Sequence, residues 1–427
     1  MGIAAGSLIN LASRVGATIG VLALTTLAAR QGPQVQGAFA LFTSVEGLMV
    51  ALASGFGLAL ARRVSHHGEA PAALMSATAL ACVALGMLAS VGLGLLSAFG
   101  PPSYASVGLL AVAAPLLLIT PNLTGWWLGE GRMAPMAMVT LAAPWGALVL
   151  FALLAWAGLG GLGPVLAGWV LAKGLVAVTL LLVLWRQGRL ARPRAGVLRP
   201  LLPFIVAIGL TNLVSLANYR VGLFVVEREL GLAATGVYSI AVIVAELLWF
   251  VSSAVTQAAY ARIGHPDRDA AVAVTLRVLQ LSLLALALAA PVLLALAWAV
   301  LPALLGPDYA ASRLPLLLLL PGVLLFGGAS SMSAYFTHHA GQPRVAARVA
   351  ALSLVLHGAL ALWWVPLMGV AGAALAASTA FVVAVVVLAR RFAREAAVPV
   401  SALWTPGPQL AGDLRALASR LMAGGRR

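Results

Sequence analysis

The sequence predicts an all-α integral membrane protein with twelve transmembrane helices in two pseudo-symmetric six-helix lobes. Composition is the first reason: 62% of the 427 residues are apolar and only 9% are charged. A chain folded in water would lack the polar surface to cover that much apolar material. The second reason is spacing, because apolar runs of about 20 residues, the length that crosses a bilayer, recur along the whole chain. The third is the placement of arginine between those runs. No stretch is left for a sizeable soluble domain.

Breaks at glycine, proline and charged residues delimit spans at 7–29, 37–60, 72–98, 105–128, 134–157, 163–184, 201–226, 234–260, 278–302, 313–337, 346–365 and 369–389. The first run, Ser7 to Ala29, is longer than a signal-peptide core and has no basic segment before it, so it is expected as a retained helix. Pro115, Pro121 and Pro144 fall inside spans, where neighbouring helices can satisfy the backbone groups they free. With the N-terminus inside, the inner segments hold twenty arginines and the outer loops only Arg30, Arg228 and Arg313. That asymmetry places both termini in the cytoplasm and favours an even number of spans. The longest inner loop, Arg186 to Pro200, separates an N-terminal lobe (1–197) from a C-terminal lobe (198–395). In the cytoplasmic tail (396–427), Leu410, Leu414, Leu417 and Leu421 share one helical face. They suit a helix lying on the inner leaflet, although a mobile tail fits equally.

The formal charge of +15 does not point to nucleic acid, since the basic residues are dispersed between apolar runs. Lys173 is the only lysine against 25 arginines, which with the alanine and glycine excess reflects a GC-rich genome. A single cysteine, Cys82, excludes an intrachain disulfide and a cysteine-based metal site.

The two halves repeat. Arg30-Gln-Gly32-Pro-Gln-Val-Gln-Gly37-Ala-Phe39 aligns without gaps with Glu229-Leu-Gly231-Leu-Ala-Ala-Thr-Gly236-Val-Tyr238. Glu46 and Glu246, Arg62 and Arg262, Gly131 and Gly341, and Gly160 and Gly369 follow at a near-constant offset. Both halves begin on the same side, so the repeat is parallel, with its axis along the membrane normal.

Four segments carry a family resemblance: Gly231-Leu-Ala-Ala-Thr-Gly-Val-Tyr-Ser-Ile-Ala241, Leu305-Gly-Pro-Asp-Tyr-Ala310, Ala340-Gly-Gln-Pro-Arg344 and Val365-Pro-Leu-Met-Gly-Val-Ala-Gly-Ala-Ala374. On these, nearly all of residues 1–395 resembles the oligosaccharide flippases of bacterial O-antigen and capsule export. That family lies in the multidrug/oligosaccharidyl-lipid/polysaccharide exporter superfamily. The resemblance implies a bacterial inner-membrane transporter whose lobes enclose a central cavity working by alternating access. It implies as cargo a glycan on undecaprenyl pyrophosphate, moved from the inner to the outer leaflet, with membrane lipids and other polysaccharide assembly proteins as partners. No cofactor is implied; coupling to protons, sodium or the membrane potential all remain open.

Ionisable residues inside spans are functional candidates, because burying charge in a bilayer is expensive. Arg14 lies about two turns into the first span, where family members often carry a cavity-lining cation. A guanidinium fork suits a diphosphate, and snorkelling to the inner headgroups is the alternative. Arg220 and Lys173 are the other candidates for binding pyrophosphate. Reflecting the chain about Gly231–Gly236 brings Glu246 to within about one turn of Arg220 in depth, so the two can form an ion pair. Glu46 has no evident cationic partner at its depth, so it is expected either to bind a coupling ion or to be neutral and bonded to a carbonyl. His357 is expected as a core histidine, His338 and His339 as interfacial, and Trp126, Trp127, Trp249, Trp363 and Trp364 mostly as belt anchors.

Two rivals remain. A multidrug or cation antiporter of the same superfamily would favour an acidic cavity, whereas Arg14, Lys173 and Arg220 tip the balance towards an anionic cargo. A membrane glycosyltransferase or polysaccharide polymerase or ligase would need a positioned acid or base. All four aspartates lie in loops or the tail and the outer loops are short, so an enzyme is not expected.

Overall fold

The computed structural model describes residues 3–68, 72–193 and 196–405. Arg194 and the leucines of the proposed tail helix lie outside them. The described chain is helical, without strands. Its spans are α1 (Ile3–Arg30), α2 (33–67), α3 (Ala72–Phe99), α4 (108–129), α5 (Met133–Trp156), α6 (Leu162–Arg186), α7 (202–230), α8 (232–263), α9 (Arg268–Leu305), α10 (313–339), α11 (Pro343–Met368) and α12 (Val370–Ala396). Among the described residues, eleven helical runs are long and apolar enough to cross a membrane. One of them, Arg199–Tyr260, has 62 residues and is broken by Gly231 at φ 80° and ψ −178°, which makes it two spans. Only glycine adopts that backbone freely. A Cβ on Gly222 of α7 would lie 2.8 Å from the Tyr238 hydroxyl of α8, so the chain doubles back at the break. The protein is a multi-pass membrane protein.

The expected spans match these helices, which run seven residues further at the ends of α2 and α12 and further still at the start of α9. α9 starts at Arg268, ten residues before the apolar run. Helical hydrogen bonding continues through the charged segment because hydropathy marks only the part that suits lipid.

Packing divides the chain into two compact units. Among the described residues, one runs to Arg220 and adds Leu230–Val237 and Leu304–Asp308; the other comprises Val221–Glu229, Tyr238–Ala303 and the described chain from Tyr309 on. Residues 198–220 therefore pack with the first unit, and glycine explains why. A Cβ on Gly55 of α2 would sit 2.1 Å from the Ile205 carbonyl oxygen, and one on Gly209 of α7 would sit 2.2 Å from that of Leu52. The two backbones touch because neither residue has a side chain there. The repeat produces a second such crossing. Gly37 faces the Leu232 carbonyl at 1.9 Å from its would-be Cβ, and Gly236 faces that of Pro33 at 2.0 Å. These four residues are two pairs of repeat equivalents, so the contact has a pseudo-two-fold axis.

Inside the first unit, Leu24, Phe39, Phe42, Leu110, Val165 and Trp169 form one apolar cluster, and Leu60, Met75, Trp126, Leu180 and Leu184 belong to another. The second unit is centred on Leu279, Met332, Tyr335, Phe336, Leu388 and Phe392, and Leu403 after α12 joins it. Large apolar side chains such as Leu88, Val112, Met138 and Val355 are exposed, as expected of helices that meet lipid.

Candidate functional site

The best-defined polar site lies inside the first unit. Glu46 of α2 is 3% exposed and both of its carboxylate oxygens are engaged. Lys173 Nζ of α6 donates to Oε1 at 2.7 Å, and Trp169 Nε1 donates to Oε2 at 2.6 Å. Lys173 and Trp169 are four residues apart, which puts them on one face of α6. The ammonium also stands 4.0 Å from the centre of the Trp169 ring, within cation–π range. Phe39 packs edge-on against Trp169, with 5.7 Å between ring centroids.

This geometry corrects the expectation that Glu46 lacks a partner. Glu46 is nine residues from the outer end of its span and Lys173 ten from the outer end of its own. At 1.5 Å per residue both sit about 15 Å deep. The depth match was legible; the Trp169 indole, four residues from Lys173, was the missed member.

A cavity of about 240 Å³ opens beside the pair. Leu117, Val139 and Val176 give it apolar walls, and Glu46, Lys173 and Thr120 bring polar groups to it. Pro121 shapes one wall: it has no N–H for the Leu117 carbonyl, and regular α-helix is interrupted at Leu118 and at Thr124. The Thr120 hydroxyl oxygen is buried with no hydrogen-bond partner among the described residues. Lys173 is 27% exposed and has donors to spare beyond its bond to Glu46. The pocket can therefore take up a small polar group, with the Lys173 ammonium as a donor beside the paired Glu46 carboxylate.

The other candidates lie elsewhere. Arg14 is exposed on α1, and its guanidinium has no hydrogen bond or ion pair among the described residues. Arg220 of α7 and Glu246 of α8 are half-buried, and both take part in polar interactions. Glu227 of α7, which sequence reasoning passed over, is 6% exposed. His357 is buried beside the Phe381 ring, as a core histidine should be. His338 bonds the Tyr260 hydroxyl, and His339 bonds the His265 carbonyl while stacking on Tyr335. Trp126 and Trp127 are buried, not belt anchors. Trp126 donates to Glu130 at 2.6 Å, and Arg189 lies over its ring; satisfying the indole N–H internally lets the ring leave the interface. Trp363 is exposed, consistent with an anchor.

The class these features define is a helical membrane protein of two compact units, the first holding a buried Glu–Lys–Trp assembly beside a cavity. Its fold is that of the MOP superfamily transporters. One solved structure it resembles is the inward-facing form of a multidrug resistance MATE family transporter, with TM-score 0.73, 16% identity, and coverage of 91% of this chain and 95% of that one. Another is the lipid II flippase MurJ in an inward closed conformation, with TM-score 0.74, 14% identity and coverage of 93% and 89%. A third is a MOP superfamily transporter from Pyrococcus furiosus, described by a reverse polarity of its binding pocket, with TM-score 0.63, 15% identity and coverage of 94% and 95%. No family model and no curated protein matches the sequence.

Proposed function

We propose that the chain is a flippase that moves an undecaprenyl-pyrophosphate-linked oligosaccharide from the inner to the outer leaflet of a bacterial inner membrane. One observation carries the choice of an anionic cargo: Glu46, the deep carboxylate of the first unit, is already held by Lys173 and Trp169. A cationic drug would find that charge neutralised, whereas Arg14 presents an exposed guanidinium on a membrane-spanning helix. Arg14 and Arg220, with Lys173, bind the pyrophosphate through charge-assisted hydrogen bonds. Glu46 couples transport to ion movement through its pair, since protonating the carboxylate would release the lysine. Glu246 serves either in coupling or in an ion pair. The protein is a transporter and not an enzyme, and its inner loops are the arginine-rich ones.

The similarity to multidrug MATE transporters keeps a cation antiporter as the second reading, because the fold is shared equally well with both. Arg14→Ala separates them. In cells that depend on this chain for surface glycan, the substitution is expected to abolish export of the lipid-linked glycan while membrane insertion stays normal. Unchanged surface glycan, or a loss of drug tolerance in its place, would overturn the reading.

A further inference from the structure

At the end of α11 and α12 that the α10–α11 turn closes, the second unit holds a recess of about 480 Å³. Gly341, Gln342 and Pro343 line it, and Arg344, Arg348 and Arg391 supply all of its formal charge. Gly341 turns the chain at φ 62°, and α11 begins at once with Pro343. Arg344 and Arg348 stand one helical turn apart on α11, so their like charges repel. Arg391 reaches in from α12 and touches Gln342 Oε1 at 3.5 Å. No carboxylate among the described residues pairs with any of the three. The N-cap residue Gln342 makes no side-chain capping bond, and the first turn of α11 has no acid, so the positive end of this 26-residue helix faces the same region uncompensated.

Orientation preference alone asks only for basic residues on one side of the membrane. It does not ask for three to converge on one recess from two helices. The repeat supplies an internal comparison. The equivalent turn in the first half, at Gly131, has Arg132 neutralised by Glu130 at 3.5 Å, and Ala134 and Met138 where the second half has Arg344 and Arg348. The first half also gathers two arginines there, Arg132 and Arg189 over the Trp126 ring, but Arg132 is paired with Glu130; among the described residues, the recess with three arginines and no carboxylate belongs to the second half.

We propose that this recess is a binding site for a phosphate-bearing anion at the level of the lipid headgroups. The spans Pro343–Met368 and Val370–Ala396 place Arg344 in the first turn of one and Arg391 near the end of the other. Arginine forks match phosphate oxygens bidentately, and the helix end adds backbone donors. An anion would also relieve the repulsion between the three guanidiniums. The ligand is either the phosphate of an anionic lipid or soluble phosphate, and the chemistry of recognition is the same.

The test uses the full chain in neutral detergent and native mass spectrometry. Phosphatidylglycerol is expected to bind in preference to phosphatidylcholine. The double variant Arg344→Gln/Arg391→Gln should weaken that binding about ten-fold or more, the loss of at least one charge-assisted hydrogen bond. Arg344→Lys/Arg391→Lys, which keeps the charge but loses the fork, should weaken binding less than the Gln pair does, and Arg132→Gln should change nothing. Inorganic phosphate that displaces the lipid would identify soluble phosphate as a ligand; lipid binding that phosphate cannot displace would identify the headgroup. Either result supports the site. Equal lipid binding by the wild type and a Gln variant with an unchanged thermal midpoint would overturn it, as would a folded wild type that binds neither probe.

Discussion

At the scale of residues, the Glu46–Lys173 pair is where stability and function meet. Removing Lys173 alone leaves the carboxylate buried with only the Trp169 indole to hold it. Lys173→Met should therefore destabilise the protein by about 3 kcal/mol, the low end for breaking a buried pair because the lysine is partly exposed. Adding Glu46→Gln should restore most of the loss, since the amide oxygen still accepts from Trp169 and no charge is stranded. Thermal unfolding of both singles and the double in detergent checks this, and losses that simply add would show that the two residues do not interact. The sequence held part of this answer. Equal depth and four-residue spacing on one helix were readable, but which face of α6 turns towards α2 was not. That depends on how Phe39, Trp169 and the surrounding cluster interdigitate.

Helices meet through glycine in this molecule, and the prediction at that scale follows from backbone proximity. At Gly37 and Gly236 the obstacle to a Cβ is a carbonyl oxygen about 2 Å away, so no side chain can rotate aside. Gly37→Ala and Gly236→Ala should each cost about 3 kcal/mol by overpacking. Gly94→Ala on α3 has nothing within 4 Å of the new methyl and should stabilise by up to about 1 kcal/mol through helix propensity. Detergent thermal midpoints that fail to separate these variants would refute the close crossing. The periodic offset between the halves exposed Gly37 and Gly236 as equivalents. It gave no hint that they face each other, because equivalence along a chain carries no distance. Trp126 teaches the converse: its place near a span end suggested the interface, and an internal acceptor, Glu130, allowed it to be buried.

For the whole molecule, the orientation makes a direct prediction. In a Cys82→Ala background, a cysteine replacing Ala191 should resist a membrane-impermeant maleimide in intact cells and react once the membrane is opened. A cysteine replacing Gly160, between α5 and α6, should react from outside. The reverse pattern would invert the topology. Cys82 is buried, so it is removed only as a precaution.

By itself the sequence determined the solvent, the number of spans and the repeat, because these follow from transfer energies and residue patterns that add along the chain; its arginine asymmetry supplies the expected inward-facing side that the labelling test checks. Tertiary structure alone decided that residues 198–220 pack with the first unit, that Glu46 is held by Lys173 and Trp169, and that three arginines gather in one recess. Those are matters of helix rotation and close approach. They turn on angstrom-scale contacts between segments far apart in sequence, and hydropathy averages such contacts away.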